Sequence, residues 1–389
     1  MLFASFSFVL ILAVAVPLFY WIRPERRYAV IIVSGVFFYA WNATWWVLLF
    51  FSELLISRFY CRGARACWIG IVQAMLVLGI FKYGSFVENN VRAVLGLDPG
   101  RTLPVLAVLP LAVSFFTFEF VHFASDFYRE KITERNFTKY AAFIFFFPTL
   151  VAGPIKRYQD FIPKVEAAVL DWEGISCGIT RIFWGFFKKF AIADAMVEWT
   201  KFLVPEHIPS LTGIWLWQGV FAYGLRIYFD FSGYADIAIG ASLLFGITVP
   251  ENFSNPYFAS NISDFWKRWH ISLYRWLVDY IFIPLGGSRC GRWRVCLNIM
   301  AVTGFSGFWH GASWNFLIWG WFHGIMLCIF HWYSHWRGEQ TEEPPSWWSY
   351  SKRIGAILFT YILVNFGWTF FIMDFHSLGI ALPKMFFLK

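Results

Sequence analysis

Charged residues are scarce in this sequence. Asp, Glu, Lys and Arg make up 14% of its 389 residues, whereas hydrophobic residues account for 59% and aromatic residues for 23%. An average soluble domain carries about 25% charged residues, so this composition excludes an ordinary soluble protein. A membrane-spanning helix needs only about 20 residues. We therefore predict an all-α polytopic membrane protein in which residues 1–389 form one integral-membrane domain.

Paired cysteines and metal-ligand spacings are also missing. The six cysteines are scattered, without a Cys-x-x-Cys pair or a nearby histidine ligand. This pattern argues against a disulfide framework or a zinc site, and we expect no bound metal. The net charge is +8, but the basic residues form short clusters beside hydrophobic runs. Such clusters follow the positive-inside rule of membrane proteins, so we expect a lipid bilayer and no nucleic acid as partner.

Hydrophobic runs of membrane-spanning length occur throughout the chain. Residues 2–22 lack a basic start and a cleavage site, and we interpret them as a retained helix. The arginines of segment 23–27 mark a cytoplasmic loop, which places the N-terminus outside the cytoplasm. Residues 28–57 fit a hairpin that breaks near Asn42. Further spans are predicted at 68–83, 174–204, 211–246, 295–309, 312–334 and 350–373, with a polar linker at 335–349.

Two segments combine membrane-like hydrophobicity with helix-breaking residues. Residues 102–128 contain prolines as well as acidic and histidine side chains, and residues 146–161 contain Pro148, Gly153 and Pro154. Irregular backbone inside a membrane is tolerated only where protein or a water-filled cavity satisfies its polar groups. We therefore predict broken helices in both segments.

The segment from Asp264 to Tyr280 has the clearest amphipathic pattern. On a helix, His270 shares the buried face with the aromatic residues, while Arg268 and Arg275 lie on the opposite face. Two interpretations remain open. The helix lies at the membrane interface with His270 in a structural hydrogen bond, or it lines the cytoplasmic mouth of a cavity and presents His270 to that cavity.

A second candidate is His310, within the stretch FSGFWHGASWNF. Gly304, Gly307 and Gly311 allow the backbone to bend or to approach another element closely there. An ionisable residue inside the membrane is costly and is a functional candidate by default. A neutral imidazole is well suited to accept a proton near neutral pH, so His310 is a candidate general base.

His323 repeats the aromatic-His-Gly pattern of His310. On one continuous helix the two histidines would lie about 20 Å apart along the axis, so they could share a site only if the helix breaks between them. The residues alone do not decide which of the two is the base.

Asp230, Ser232 and Asp236 lie within a hydrophobic span. Buried carboxylates suit acid–base chemistry or a proton path, but they also suit pairing with Arg226 or capping of a helix broken at Gly233. We favour the structural role, because the spacing places the carboxylates about 9 Å apart along a helix and on different faces.

Several long motifs occur in one order from about residue 110 to 375. The motifs are VSFFTFEF, FFPTLVAGPIKRY, YFDFSGYADIAIG, ENFSNPYFASNISDFWKRWHISLYRWLVDYIFIPLGG and GFWHGASWNFLIWGWFHG. Together they resemble the bacterial branch of the membrane-bound O-acyltransferases, which includes alginate O-acetylases, other polysaccharide O-acetylation subunits and teichoic acid D-alanyl transfer proteins.

The resemblance implies a bundle with re-entrant or broken helices and a central tunnel. In that family the histidine of the Trp-His-Gly motif is the essential catalytic residue, and it falls on His310. The histidine of the Arg-Trp-His motif, also considered functional, falls on His270. The family takes an acyl group from a cytoplasmic acyl-CoA or acyl carrier protein and sends it outward to a polysaccharide, usually with an extracytoplasmic acetyltransferase-type partner protein. The resemblance also implies the bacterial cytoplasmic (inner) membrane and no permanently bound cofactor.

We therefore expect an O-acyltransferase, with acetyl-CoA favoured among the acyl thioesters, in which His310 is the general base and His270 positions a substrate. Two other classes remain: a transporter or flippase, and a non-catalytic scaffold of a polysaccharide-modification complex. The candidate substrate-binding residues are Trp309, Trp269, Arg268, Arg275 and Asp230.

Overall fold

The computed structural model describes residues 5–43, 54, 64–97, 110–134, 136–338 and 347–387, and these residues form helices and no β-strand. The all-α prediction is confirmed. Three earlier expectations lie partly outside the described residues: the second arm of the hairpin at 28–57, the start of segment 102–128, and most of the polar linker.

The helices follow the predicted spans closely in the C-terminal part of the chain and less closely before it. In the N-terminal part they are α1 Phe6–Trp21, α2 Arg27–Ala43, α3 Ala64–Leu78, α4 Gly84–Val94, α5 Val113–Tyr128, α6 Phe137–Ile144, α7 Phe147–Leu150, α8 Tyr158–Ala167 and α9 Trp172–Phe186. The remainder are α10 Val197–Thr200, α11 Gly213–Leu244, α12 Ile262–Arg268, α13 Ile271–Leu277, α14 Arg292–His310, α15 Trp314–Arg337, α16 Trp347–Ile372 and α17 Phe375–Phe387.

Three helical stretches within the described residues are long and apolar enough to cross a membrane: Cys67–Val94, Trp314–Arg337 and Ser349–Ile372. The first of them joins α3 to α4 through a π-helical turn at Gly79–Tyr83. The span predicted at 68–83 therefore continues to Val94.

The chain packs as two compact units that interleave along the sequence. The first unit consists of Met1–Phe187 and Gly233–Glu251, and the second of Lys188–Ser232 and Asn252–Lys389. Helix α11 is continuous, so its residues up to Ser232 belong to the second unit and its remaining residues to the first. A helix break at Gly233 is thus wrong.

Helix α5, in the first unit, runs without interruption from Val113, although we predicted broken structure there. Its polar side chains are buried, and they find partners on the irregular segment that precedes α8 and at the start of that helix. Lys156 donates a 2.5 Å hydrogen bond to Glu119, and the Tyr158 backbone N–H donates to His122 Nε2 at 3.0 Å. These two hydrogen bonds give Glu119 and His122 buried partners without breaking the helix.

Helices α14, α15 and α16 form the framework of the second unit. Helices α14 and α15 are joined by a turn at residues 311–313, and glycines bring them into close contact. A Cβ atom added at Gly307 would lie 2.2 Å from the Phe316 carbonyl oxygen, and one at Gly320 would lie 2.2 Å from the Thr303 carbonyl oxygen. The expectation of a close approach at Gly307 is therefore confirmed.

Candidate functional site

The amphipathic segment is not one helix. Helix α12 ends at Arg268, and His270 has φ 45° and ψ 54°, in the left-handed region, before α13 begins at Ile271. The predicted continuous helix from Asp264 to Tyr280 is therefore wrong. The expectation that His270 lies on a buried face agrees with the structure, because His270 is only 3% exposed.

Backbone pairing with a neighbouring stretch of the chain explains the break. Phe253 and Trp269 form an isolated antiparallel bridge. The Ser254 N–H donates to the Arg268 carbonyl at 3.0 Å, and the Ile271 N–H donates to the Asn252 carbonyl at 2.9 Å. Hydrogen bonds that a helix would make internally are thus replaced at this point by bonds to residues 252–254.

Asn252 fixes the orientation and the tautomer of His270. Its side-chain oxygen accepts hydrogen bonds from the Ser272 N–H at 3.2 Å and the Ser272 hydroxyl at 2.7 Å, and it lies 3.3 Å from His270 Nδ1. Because this oxygen is an acceptor, Nδ1 carries the proton and Nε2 is the unprotonated nitrogen. The Phe231 ring stands edge-on to the imidazole at 4.7 Å. His270 Nε2 is buried without a hydrogen-bond partner.

His310 is the last residue of α14 and is half-buried. Its ring centroid lies 4.8 Å from that of Trp309, 5.2 Å from that of Trp319 and 5.4 Å from that of Phe371. The catalytic candidate thus lies among aromatic rings from three helices, and the turn that follows it reverses the chain.

The reversal of the chain brings His323 near His310. The Trp319 ring lies 5.1 Å from the His323 ring, so it contacts both histidines. A break between them was the condition for a shared site, and the turn at residues 311–313 provides it. Trp309 also lies 6.5 Å from His270, which connects the third histidine to the same aromatic cluster.

The second unit contains a cavity of about 260 Å³ between these elements. Its walls are apolar with a few polar groups, and none of the described residues that line it is Asp, Glu, Lys or Arg. The aromatic and histidine residues that line it are Trp266, Trp269, His270, Tyr274, Phe282, Trp319, His323 and His331.

The structure brings together some of the predicted site residues and leaves others apart. Trp269 and His270 line the cavity, whereas His310 and Trp309 lie beside it and contact residues of its wall. Arg268 forms a 2.8 Å ion pair with Asp264. Arg275 is exposed on α13.

The carboxylates of α11 are engaged in ion pairs, but not with the predicted partner. Asp230 lies 2.7 Å from Lys189 in the second unit, and Asp236 lies 2.9 Å from Arg181 in the first. Arg226 instead donates to the Thr200 hydroxyl at 3.0 Å. The suggested pairing with Arg226 is therefore wrong, and both carboxylates pair with other cations.

Sequence reasoning missed two contributors to the site. It did not single out Asn252, although the residue stands in the same motif as the Arg-Trp-His sequence, and it gave no position to Trp319. Among the described residues, no group of three or more His, Cys, Asp or Glu side chains is arranged to hold a metal ion.

Comparison with known proteins matches this chain to one family over most of its length. The profile of MBOAT, the membrane-bound O-acyltransferase family, matches residues 59–366. The probable alginate O-acetylase AlgI of Azotobacter vinelandii is 34% identical over 385 residues, covering 94% of this chain and 74% of that protein. The peptidoglycan O-acetyltransferase of Helicobacter pylori is 35% identical over 379 residues, covering 88% and 70%. The teichoic acid D-alanyltransferase of Bacillus subtilis is 27% identical over 379 residues, covering 87% and 92%.

These similarities extend across both halves of the chain and include the segments that carry all three histidines of the site. They agree with the all-α architecture and with the apolar helices described above. The chain belongs to the membrane-bound O-acyltransferase family, and it is an O-acyltransferase of the membrane.

Proposed function

We propose that this enzyme moves an acetyl group from a cytoplasmic thioester, acetyl-CoA or an acylated carrier protein, toward an extracytoplasmic polysaccharide. Transfer is direct or passes through an extracytoplasmic acetyltransferase-type partner protein. The names of the relatives support acetyl over D-alanyl, since the two acetyltransferase relatives are 34% and 35% identical and the D-alanyltransferase is 27% identical. We place the enzyme in the bacterial cytoplasmic membrane with its N-terminus outside.

One observation carries the proposal: histidines from separate elements meet one aromatic cluster beside a cavity without charged walls. His270 lines the cavity, and Trp309 lies next to both His270 and His310. A thioester and a hydroxyl are neutral groups that such a cavity accommodates. Apolar walls also exclude water from the cavity, which protects the thioester from hydrolysis.

In the proposed step, His310 accepts the proton of the acceptor hydroxyl while its oxygen attacks the thioester carbonyl carbon. A C–O bond forms, and the carbonyl electron pair moves onto the carbonyl oxygen. When that pair returns, the C–S bond breaks, and the leaving thiolate takes the proton held by His310. The products are an O-acyl ester and a free thiol, and the histidine returns to its starting state.

His270 has a positioning role in this scheme. Its unprotonated Nε2 accepts a hydrogen bond, so it binds an N–H or O–H group of a substrate rather than an oxyanion. Trp269 and Trp309 supply apolar contacts on either side of it. We assign the attraction of donor phosphates to Arg275, since Arg268 is already paired with Asp264.

Asp230 takes no part in the step, because its carboxylate is paired with Lys189. A half-exposed ion pair of this kind contributes at most about 1 kcal/mol to stability.

The proposal is tested with the purified full-length protein in detergent and radiolabelled acetyl-CoA. We expect slow release or transfer of the acetyl group by the unchanged enzyme and its loss in His310→Ala, by about 1,000-fold or more, because a general base and its orientation are removed together. His207→Ala is the matched control, since His207 is exposed. It should retain full activity.

Full activity of His310→Ala would refute the role of His310. A wild-type protein that turns over no thioester, but moves a polysaccharide or lipid-linked sugar across vesicles, would instead indicate a transporter. Polymer acetylation that persists in cells carrying a His270, His310 double variant would indicate a scaffold.

A further inference from the structure

His323 is a buried histidine that the proposed step does not use. The residue is 1% exposed, and both ring nitrogens are buried without a hydrogen-bond partner. A neutral imidazole offers one N–H donor and one acceptor, and burial of both without partners costs free energy. A phenylalanine would occupy a similar volume without that cost. The missing partner is therefore expected to be a ligand.

The surroundings of His323 hold its ring in one orientation. The rings of Trp266 and Trp319 stand edge to face with it, each with its centroid 5.1 Å away. On another side, a Cβ atom at Gly367 would lie 2.8 Å from His323 Nε2. Because Gly367 has no side chain, the imidazole of His323 can occupy this space.

Two further hydrogen-bond donors share the cavity with His323. The indole nitrogens of Trp266 and Trp319 are also buried without partners, and both residues line the cavity. An indole N–H donates and cannot accept. Among the described residues, no charged side chain lines the cavity. These donors therefore fit a neutral ligand with an acceptor oxygen better than they fit a phosphate or a carboxylate. The carbonyl of an acyl thioester has this chemistry.

We propose that His323 is a further catalytic residue, which donates an N–H hydrogen bond to the carbonyl oxygen of the bound thioester. The inference rests on the proposed function. When the acceptor oxygen adds to the carbonyl carbon, the carbonyl electron pair moves onto this oxygen and leaves it negatively charged. His323 stabilises that charge as a neutral donor and keeps its own proton while the C–S bond breaks.

The test compares His323→Phe, which keeps the ring shape, with His323→Asn and His323→Gln, each of which retains an N–H donor. Activity on acetyl-CoA is measured as kcat and KM with the full-length enzyme. We expect His323→Phe to lower kcat by about 100- to 1,000-fold with KM changed less than about threefold, because the donor acts on the oxyanion. At least one of the two amide variants should have a kcat about tenfold higher than that of His323→Phe.

Two further measurements separate catalysis from folding. The pH–rate profile of the amide variants should keep the shape of the wild-type profile, because His323 does not exchange its proton in the step. Gly367→Ala retains the imidazole but displaces it, because the added Cβ would lie 2.8 Å from His323 Nε2. This variant should lower kcat without abolishing folding, as followed by tryptophan fluorescence on heating.

Unchanged kcat in His323→Phe would overturn the inference while leaving the role of His310 intact. So would a rise of KM alone. If His310→Ala remains active and His323→Gln removes the acidic limb of the pH–rate profile, both the inference and the proposed step fail, and His323 is the base.

Discussion

A methyl group at Gly320 would change the distance between the two helices that carry His310 and His323. Its Cβ would lie 2.2 Å from the Thr303 carbonyl oxygen. Ordinary contacts of a Cβ atom begin at 3.4 Å, so α14 and α15 must separate by about 1 Å to admit the methyl group. The neighbouring atom belongs to the backbone of a helix, and it cannot rotate away as a side chain would.

The expected magnitude follows from two opposing effects. Replacement of glycine by alanine within a helix gains up to about 1 kcal/mol of intrinsic stability. Overpacking of a close contact costs about 1–3 kcal/mol, and a backbone clash belongs at the upper end of that range. The net change for Gly320→Ala is therefore a loss of about 2 kcal/mol, or a fall of roughly 2–3 °C in the midpoint of thermal unfolding. A displacement of about 1 Å at the catalytic groups should also lower acetyl transfer by about 100-fold.

The assay uses tryptophan fluorescence on heating in detergent together with acetyl transfer from acetyl-CoA. Gly355→Ala is the matched control, because Gly355 is also in a long helix but an added Cβ meets nothing within 4 Å. It should unfold at the same temperature as wild type or slightly above it, with unchanged activity. If Gly320→Ala behaves like Gly355→Ala in both measurements, the hairpin is not closely packed and the reasoning fails.

Three other substitutions test the remaining contacts. Asn252→Ala removes the acceptor that fixes the His270 tautomer, and it should lower acetyl transfer by about tenfold or more while lowering stability by about 1–3 kcal/mol; activity equal to wild type would contradict this. Asp230→Asn breaks a half-exposed ion pair, so stability should change by less than about 1 kcal/mol and the KM for acetyl-CoA should not change; a raised KM would make it a substrate-binding residue. Lys156→Met leaves Glu119 buried and unpaired, and it should cost about 3–5 kcal/mol in thermal unfolding, most of it recovered by an additional Glu119→Gln; a single variant as stable as wild type would contradict the buried pair.

Helix periodicity and hydrophobic length were enough to place much of the fold. The spans predicted at 295–309, 312–334 and 350–373 correspond to α14, α15 and α16 within a few residues. Each of these helices is apolar over most of its length and ends near Gly or a polar run, so the signal is local.

The break before His270 could not be predicted in the same way. The pattern of residues 264–280 satisfies an amphipathic helix throughout, and nothing at Trp269 or His270 disfavours one. What interrupts the helix is backbone pairing with residues 252–254, which depends on the three-dimensional path of the chain rather than on local sequence. The ion-pair partners of Asp230 and Asp236 were missed for the same reason.

The proximity of His310 and His323 could be predicted only in part from the sequence. The glycines near the turn were visible in the sequence, but periodicity does not show that a short turn reverses the chain. Once α14 and α15 are antiparallel, Trp319 contacts both rings, and the distance along the sequence no longer separates them.

The left-handed backbone at His270 affects the choice of a replacement for mutagenesis. Residues with a Cβ enter this conformation at a cost of about 1–2 kcal/mol, except that Asn, Asp and His tolerate it more readily, and Gly pays no steric penalty. His270→Ala or His270→Val would therefore remove the imidazole and strain the joint between α12 and α13 at once. His270→Asn or His270→Gly changes the chemistry while the backbone keeps its path, so loss of activity in those two variants can be attributed to the imidazole.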